Sequence, residues 1–430
     1  MRILLYGLNY TPELTGIGKY TGEMAEWLAA QGARVTVVTA APYYPAWRVA
    51  APYRTDSYQS QTLRGVDIVR CPLYVPRRVT GLKRIVHLAT FALTSLPVLL
   101  WQAVWRRPDV IVVIEPPLFA APAAWLAARL SGAKSWLHVQ DFEVDAAFEL
   151  GLLPKGRVRD YVHGVERWLM RRFDRATTIS ARMLDRLVAK GVEGARSGLF
   201  PNWVDLERIR PIAIRSDAKE ITVLYSGTMG LKQGLETVIH AAALLHEAGE
   251  TRLKFVLCGD GIAEGNLQRA AAGVPTVSFR PLVPADRLNE LLNEADIHVL
   301  PQRADAEDLV FPSKLTNMLA SGRPVVATAN PGTQIAMLLE HCGLAVPPED
   351  AQALAAALRS LADDPDRRRE LGLRARQTAE QLWDKHAVLT AAFEPYMTAA
   401  AVRAVHRSAA AADAPLSEAD TIAARVRAFS

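Results

Sequence analysis

Ser313 and Lys314 open the helical part of EDLVFPSKLTNMLASGRPVVA, Glu307 to Ala327, and Asn317 follows one turn later. A hydroxyl, an ammonium and an amide at a helix start are groups that bind an anion, because the free N–H groups and the positive end of the helix dipole lie there. Pro312 and Gly322 give that helix its start and stop, and Leu315, Met318 and Leu319 repeat at helical spacing. Pro324 to Ala327 then resumes as a buried strand. A strand–helix–strand crossover of this kind sets the helix start at the carboxyl edge of a parallel sheet, a site suited to a diphosphate.

Three other stretches carry groups of the same character. The strand-like ITVLYS runs into GTMGLKQG, where Gly227, Thr228 and Gly230 free the backbone and Lys232 offers a charge able to neutralise a leaving diphosphate. Its spacing matches neither the dinucleotide fingerprint nor a P-loop, which counts against NAD and ATP phosphate chemistry. In YTPELTGIGKY, Gly16 and Gly18 precede a helix, either to let backbone N–H groups approach a phosphate or sugar or simply to turn the chain. His138 ends a strand in SWLHVQDFEVDAAF and is followed by Gln140, Asp141 and Glu143. That histidine fits a donor to a substrate hydroxyl or a satisfied structural imidazole; the two acids fit acceptor-hydroxyl ligands or an acidic helix start.

The elements needed to position these groups alternate as β and α. Strand-like runs fall at Ile3 to Tyr6, Arg34 to Thr39, Asp67 to Cys71, Val110 to Ile114, Ser135 to Val139 and Thr177 to Ser180. A second series falls at Thr222 to Ser226, Lys254 to Cys258, Thr276 to Phe279, Ile297 to Pro301 and Pro324 to Ala327. Near-continuous Val, Ile and Leu runs predict parallel strands covered on both faces, hence two doubly wound α/β domains with ligand between their carboxyl edges. The expected division is 1–205, a linker at 206–220, a second domain at 221–396 and an Ala-rich helical or loose tail at 397–430.

With 430 residues, half of them hydrophobic and 22% charged, the chain suits two ordinary folded domains rather than extended disorder. A net charge of +5 and a pI near 9.1 favour anionic partners, nucleotides or a lipid surface, while no nucleic-acid-reading motif is present. Cys71, Cys258 and Cys342 lack metal spacing and suit a reducing compartment. The N-terminus has no small-residue cleavage site, so a cytoplasmic location is expected. Ile85 to Trp105 carries no charge and is long enough to span a bilayer; it fits a buried helix or a membrane-surface helix as well. Arg77, Arg78, Lys83, Arg84, Arg106 and Arg107 flank it, as anionic headgroups would require.

Taken in order, the early glycine loop, His138, PNWVD at Pro201 to Asp205, GTMGLKQG, CGDG, and PSK followed by ASGRPVV resemble the retaining GT-B glycosyltransferases of family four. The resemblance covers residues 1 to about 396, and HVQDFEVDAAF and YSGTMGLKQGLETVI look closest to its colanic-acid-type branch. Members of that branch are assigned as exopolysaccharide sugar transferases and often as fucosyltransferases. The resemblance implies two Rossmann-like domains facing each other across a cleft, the first on the acceptor side and the second binding the donor. It implies transfer of a sugar, with retention and without metal or separate cofactor, from a GDP-fucose-like or UDP-sugar donor to a lipid-linked glycan on the inner face of the cytoplasmic membrane.

By the same resemblance, His138 lies beside the donor sugar and Lys232 meets the donor phosphates. Arg280 to Leu282 is then the stretch whose backbone meets the base, and Gly16, Gly18, Gly227, Thr228, Gly230, Ser313, Lys314 and Asn317 complete the donor site. The chain departs from the family where Gln233 separates Lys232 from Gly234, where an arginine is replaced near Thr228, and at Leu309 and Asn317, where the family has two glutamates. Lys314 or Arg182 would restore the missing charge. Same-face attack assisted by the leaving diphosphate fits the lack of an obvious nucleophile, with a covalent route through Asp141 or Glu143 as the other possibility. Other functions in view are a nucleotide-sugar epimerase or phosphorylase and a non-catalytic, membrane-associated glycan-binding or assembly subunit.

Overall fold

The computed structural model describes residues 1–13, 16–78, 80–116, 118–149, 156–213, 220–304 and 313–412; from residue 400 onward it describes the backbone alone. Glu307, Asp308, Leu309 and Pro312 of the opening motif, and residues 413–430 of the tail, lie outside the described residues.

Two sheets form. The first takes β1 (Arg2–Tyr6), β2 (Arg34–Ala40), β3 (Gln59–Leu63), β4 (Val66–Cys71), β5 (Val110–Glu115), β6 (Lys134–Val139), β7 (Arg175–Thr178) and β8 (Ser197–Leu199) in the order β3-β4-β2-β1-β5-β6-β7-β8. The second takes β9 (Ile221–Ser226), β10 (Leu253–Cys258), β11 (Val277–Arg280), β12 (Ile297–Leu300), β13 (Val325–Thr328) and β14 (Gly343–Val346) in the order β11-β10-β9-β12-β13-β14. All pairings are parallel except β3 with β4. The apolar runs predicted as buried strands are the central ones, and β5 is buried at every position. β3, β8 and β14 escape a search for such runs: QSQTL is polar and exposed on its edge, SGL is three residues long, and GLAV begins with glycine.

Each sheet is covered on both faces, and the first domain's two cores divide along its sheet. One contains Tyr6, Phe91, Leu137 and Met170; the other contains Leu5, Leu28, Val112 and Trp136. The helix Gly81–Trp101 covers the first face through Leu88, Phe91 and Leu99, and Ser95 bonds the Tyr6 hydroxyl at 2.6 Å. The long apolar segment is therefore a layer of the first domain, packed along one side, rather than a span separating two halves of a sheet.

The second boundary expected from sequence is displaced. The last helix, Lys385–Ala412, returns to the first domain, where Leu389, Ala392 and Phe393 join the Trp136 core. Phe393 lies 4.9 Å from the Trp136 ring, and Arg175 donates to the Ala392 carbonyl at 2.9 Å. Residues 385–396 thus belong to the first domain. The outgoing and returning chains run side by side, with Val204 N–H donating to Trp383 and Lys385 N–H to Val204 at 2.8 and 3.1 Å. An ion pair between Lys385 and Asp205 closes the crossing.

Candidate active site

The glycine loop after β9 meets the helix Ser313–Ala320 at the carboxyl edge of the second sheet. Lys314 Nζ donates to the Tyr225 hydroxyl at 2.8 Å and lies 4.7 Å from that ring's centre. The Tyr225 hydroxyl in turn donates to the Thr228 carbonyl. Gly227 has φ +132°, and a Cβ there would fall 2.3 Å from Lys314 Cε and 2.5 Å from Nζ, so only glycine admits the ammonium. The next loop supports this one. Gly227 N–H donates to Cys258 at 2.9 Å, and a Cβ on Gly259 would lie 1.9 Å from the Gly227 carbonyl. Burial pushes the Lys314 ammonium down to about 8, so at neutral pH it remains charged but is poorly solvated.

The other residues expected on this side are distributed as follows. Gly230 abuts the Gln233 side chain, and Lys232 lies in the short turn Leu231–Gln233, its side chain outside the described atoms. Arg280 ends β11, pairs with Glu294 at 2.6 Å and gives its carbonyl to Gly259 N–H, while Leu282 is exposed beside it. Ser313 is exposed at the start of that helix, on the side of Tyr20 of the first domain. Asn317 is half-buried one turn along. Arg182 begins the helix Ala181–Ala189 of the first domain.

On the facing edge, His138 is second to last in β6 and only 2% exposed. Its Nδ1 lies 3.0 Å from Thr177 Oγ1, and the Gln140 amide donates to its Nε2 at 3.3 Å, which assigns the ring proton to Nδ1. Asn202 of PNWVD donates to Gln140 Oε1 at 3.2 Å. Burial pushes the imidazole down to about 3, so it is neutral throughout the working range. Of the two roles open to His138 in the sequence, the bonds present are those of a satisfied imidazole, with Nε2 accepting from Gln140.

Asp141 is exposed immediately beyond, and Glu143 pairs with Arg84 at 3.2 Å in the first turn of its helix. Gly16 opens the first helix with φ +61°. A Cβ on Gly18 would sit 2.7 Å from Glu13, whose Oε1 accepts from the Tyr43 and Tyr44 N–H groups at 3.0 Å. A buried carboxylate therefore fills the space in front of Gly18, which fits the chain-turning role of the glycine pair rather than the approach of a phosphate or sugar.

Three neighbours of the candidate site were not singled out in the sequence: Glu13, Tyr225 and Glu115. Tyr225 interrupts an aliphatic strand just before the glycine loop, a signal available beforehand. Glu115, the last residue of β5, is fully buried with neither oxygen paired, and its pKa is raised well above the usual carboxylate range by burial foremost, then by Glu166 and Glu143. Nearby, Asp145, His163 and Glu166 bring potential metal-ligand atoms within 4.8 Å of one another. Lys190 Nζ occupies the same cluster, 3.0 Å from Asp145 and 2.5 Å from Glu166, and supplies the positive charge the acids require.

Comparison with known proteins matches this architecture. The glycosyl transferase 4-like domain matches residues 15–203, and the glycosyl transferases group 1 domain matches residues 220–364. The chain belongs to the GT-B glycosyltransferases of family four. It is 42% identical over 408 residues to the putative colanic acid biosynthesis glycosyl transferase WcaI of Escherichia coli, covering 90% of this chain and 98% of that one. It is 26% identical over 413 residues to a glycogen synthase of Mycobacterium tuberculosis, covering 93% and 95%. Among solved structures, sucrose-phosphate synthase of Thermosynechococcus elongatus superposes with a TM-score of 0.69 at 20% identity, covering 93% and 99%. Anabaena HepE, in complex with UDP and glucose, gives 0.64 at 15%, covering 92% and 99%. At these identities the two structures share the fold.

Proposed function

We propose that the chain moves a sugar from a nucleoside diphosphate sugar, GDP-fucose-like or UDP-linked, to a lipid-linked glycan, with retention and without a metal, in exopolysaccharide assembly of the colanic-acid type. Its place would be the inner face of the cytoplasmic membrane. The observation that carries the donor assignment is the Lys314 ammonium held over Gly227, where backbone and cation converge on a space that only a glycine leaves open. A diphosphate there would draw Lys314 from the Tyr225 hydroxyl and meet the N–H groups at the start of its helix. The similarity to WcaI supports the pathway class.

In this reading the donor diphosphate leaves as the acceptor hydroxyl attacks from the same face of the sugar. One diphosphate oxygen takes the hydroxyl proton, and Lys314, with Lys232, offsets the charge that builds on the leaving group. His138 stays neutral. A sugar hydroxyl that replaces the Gln140 amide would donate to Nε2, which orients the ring without titrating. Asp141 and Glu143 then contact the acceptor rather than the anomeric carbon.

The test is release of nucleoside diphosphate from a panel of GDP- and UDP-sugars, with lipid-linked acceptor and with chelator present. Acceptor-dependent release that survives the chelator and is lost in Lys314→Met supports the reading. Acceptor-independent epimerisation, or turnover that needs a divalent ion, contradicts it.

A further inference from the structure

Between Asp67 and Asp141 the sequence holds nine Lys or Arg and two acids, Asp109 and Glu115. Asp109 accepts from the Arg2 backbone N–H at 2.8 Å and Glu115 is fully buried, so neither neutralises the outer surface of this stretch. The stretch supplies the helices Gly81–Trp101 and Ala121–Ser131, which pack against each other on one face of the first sheet; Arg157–Met170 continues the layer. The outer side of this layer is apolar. Leu93 is 70% exposed, Trp105 68% and Trp168 50%, with Leu130 and Tyr161 also open to solvent.

The aromatic groups are paired, and each pair carries a guanidinium. Trp101 stacks on Trp105 at 6.4 Å with Arg106 over Trp101 at 5.8 Å. Trp125 meets Trp168 at 6.4 Å, with Arg129 5.8 Å from the first ring and Arg172 4.7 Å from the second. Two indole pairs flanked by arginine, set among exposed aliphatic side chains, match the depth profile of a bilayer interface: hydrocarbon, then indole, then phosphate.

We propose that this three-helix face docks on a bilayer containing anionic phospholipids. Charge complementarity selects that occupant, because Gly81–Trp101 and Ala121–Ser131 contain no acid and the exposed acid of Arg157–Met170, Asp160, is outnumbered by Arg157, Arg159 and Arg167 on the same helix, which leaves a basic protein partner little to pair with. At one end, a cavity of about 350 Å³ opens beside Trp105 and Arg106 and is also lined by Arg2, Arg34 and Asp67, three arginines to one acid. At the other end, Arg84 holds Glu143 beside the acceptor edge, so a docked face sets the cleft next to the lipid surface. That use of the surface rests on the lipid-linked acceptor proposed above; the docking itself does not.

Sedimentation of the full chain with vesicles, in the absence of donor and acceptor, tests the surface separately from the reaction. Binding to phosphatidylcholine mixed with phosphatidylglycerol, weakened by salt and poor with phosphatidylcholine alone, is expected. Arg106→Glu with Arg107→Glu should lower the partition coefficient roughly tenfold or more, and Trp105→Ala with Trp168→Ala should lower it without changing the salt slope. Circular dichroism checks that the variants fold. Equal partition of parent and variants, binding indifferent to headgroup charge, no binding to either vesicle, or a stable dimer that buries these tryptophans would overturn the proposal.

Discussion

The two sheet edges that face the cleft are built on opposite principles. On the second domain's edge, glycines at 227 and 259 remove side-chain bulk so that backbone groups and the ammonium of Lys314 crowd together. On the first domain's edge, space is filled: Glu13 packs against Gly18, His138 is bonded at both nitrogens, and Glu115 is fully buried. An anion is recognised by exposed donors with room to approach, whereas a neutral polyol is recognised by fixed acceptors and donors. Under the proposed function, the contrast would put the diphosphate at the second edge and the sugar hydroxyls at the first.

Removing the cation should break the contrast most severely. Lys314→Met is expected to lower kcat/KM by roughly a hundredfold or more, the scale of losing one stabiliser of transition-state charge. Steady-state kinetics on the preferred donor measures it; a change of less than threefold would place the diphosphate elsewhere. Gly227→Ala should approach the same loss, because its Cβ would displace the Lys314 side chain rather than remove it.

The first edge should respond less. His138→Gln is expected to reduce kcat by up to roughly a hundredfold through misplacement of Gln140 and Asn202. The pH–rate profile of the parent should show no limb near the ordinary imidazole value, since His138 is pushed down to about 3. A limb near that value that vanishes in His138→Gln would assign the ring a titrating role.

The smallest effect concerns stability. The Glu115 carboxyl has a raised folded pKa, so its contribution is fully present below the unfolded carboxylate value and is lost as pH rises toward the folded one. Glu115→Gln should therefore raise the unfolding midpoint at pH 8 by roughly 2–4 °C, with the gain fading toward pH 4.5. A thermal melt series checks this, and a gain that grows on acidification would reverse the sign.

His298 shows why part of the site was not legible in sequence. It shares the environment of His138, being fully buried and pushed down to about 3, yet it lies second in β12, away from the carboxyl edge, and bonds Ser321 at 3.0 Å. Position along a strand marks a cleft residue, and the β-run SWLHV showed that position for His138. The glycine loops were legible for the same reason, as they end apolar strands.

What stayed hidden was long-range. Glu13 and Gly18 look like a turn until Tyr43 and Tyr44 are brought beside them, and Lys314 meets Tyr225 across 89 residues of chain. The return of Phe393 to the first domain was hidden as well, because an amphipathic helix does not declare which sheet it will cover.

The central claim is that Lys314 receives the donor diphosphate. Burial holds its ammonium down to about 8, and a bound diphosphate would raise that value again. Affinity should then fall as pH climbs through 8, and binding should take up a proton in that range. Calorimetric titration of UDP and GDP at pH 8, in buffers of different ionisation enthalpy, measures the uptake directly. Uptake of roughly half a proton by the parent, absent from a folded and weaker-binding Lys314→Met, is the predicted result; equal affinity and equal proton uptake in the two proteins would contradict it.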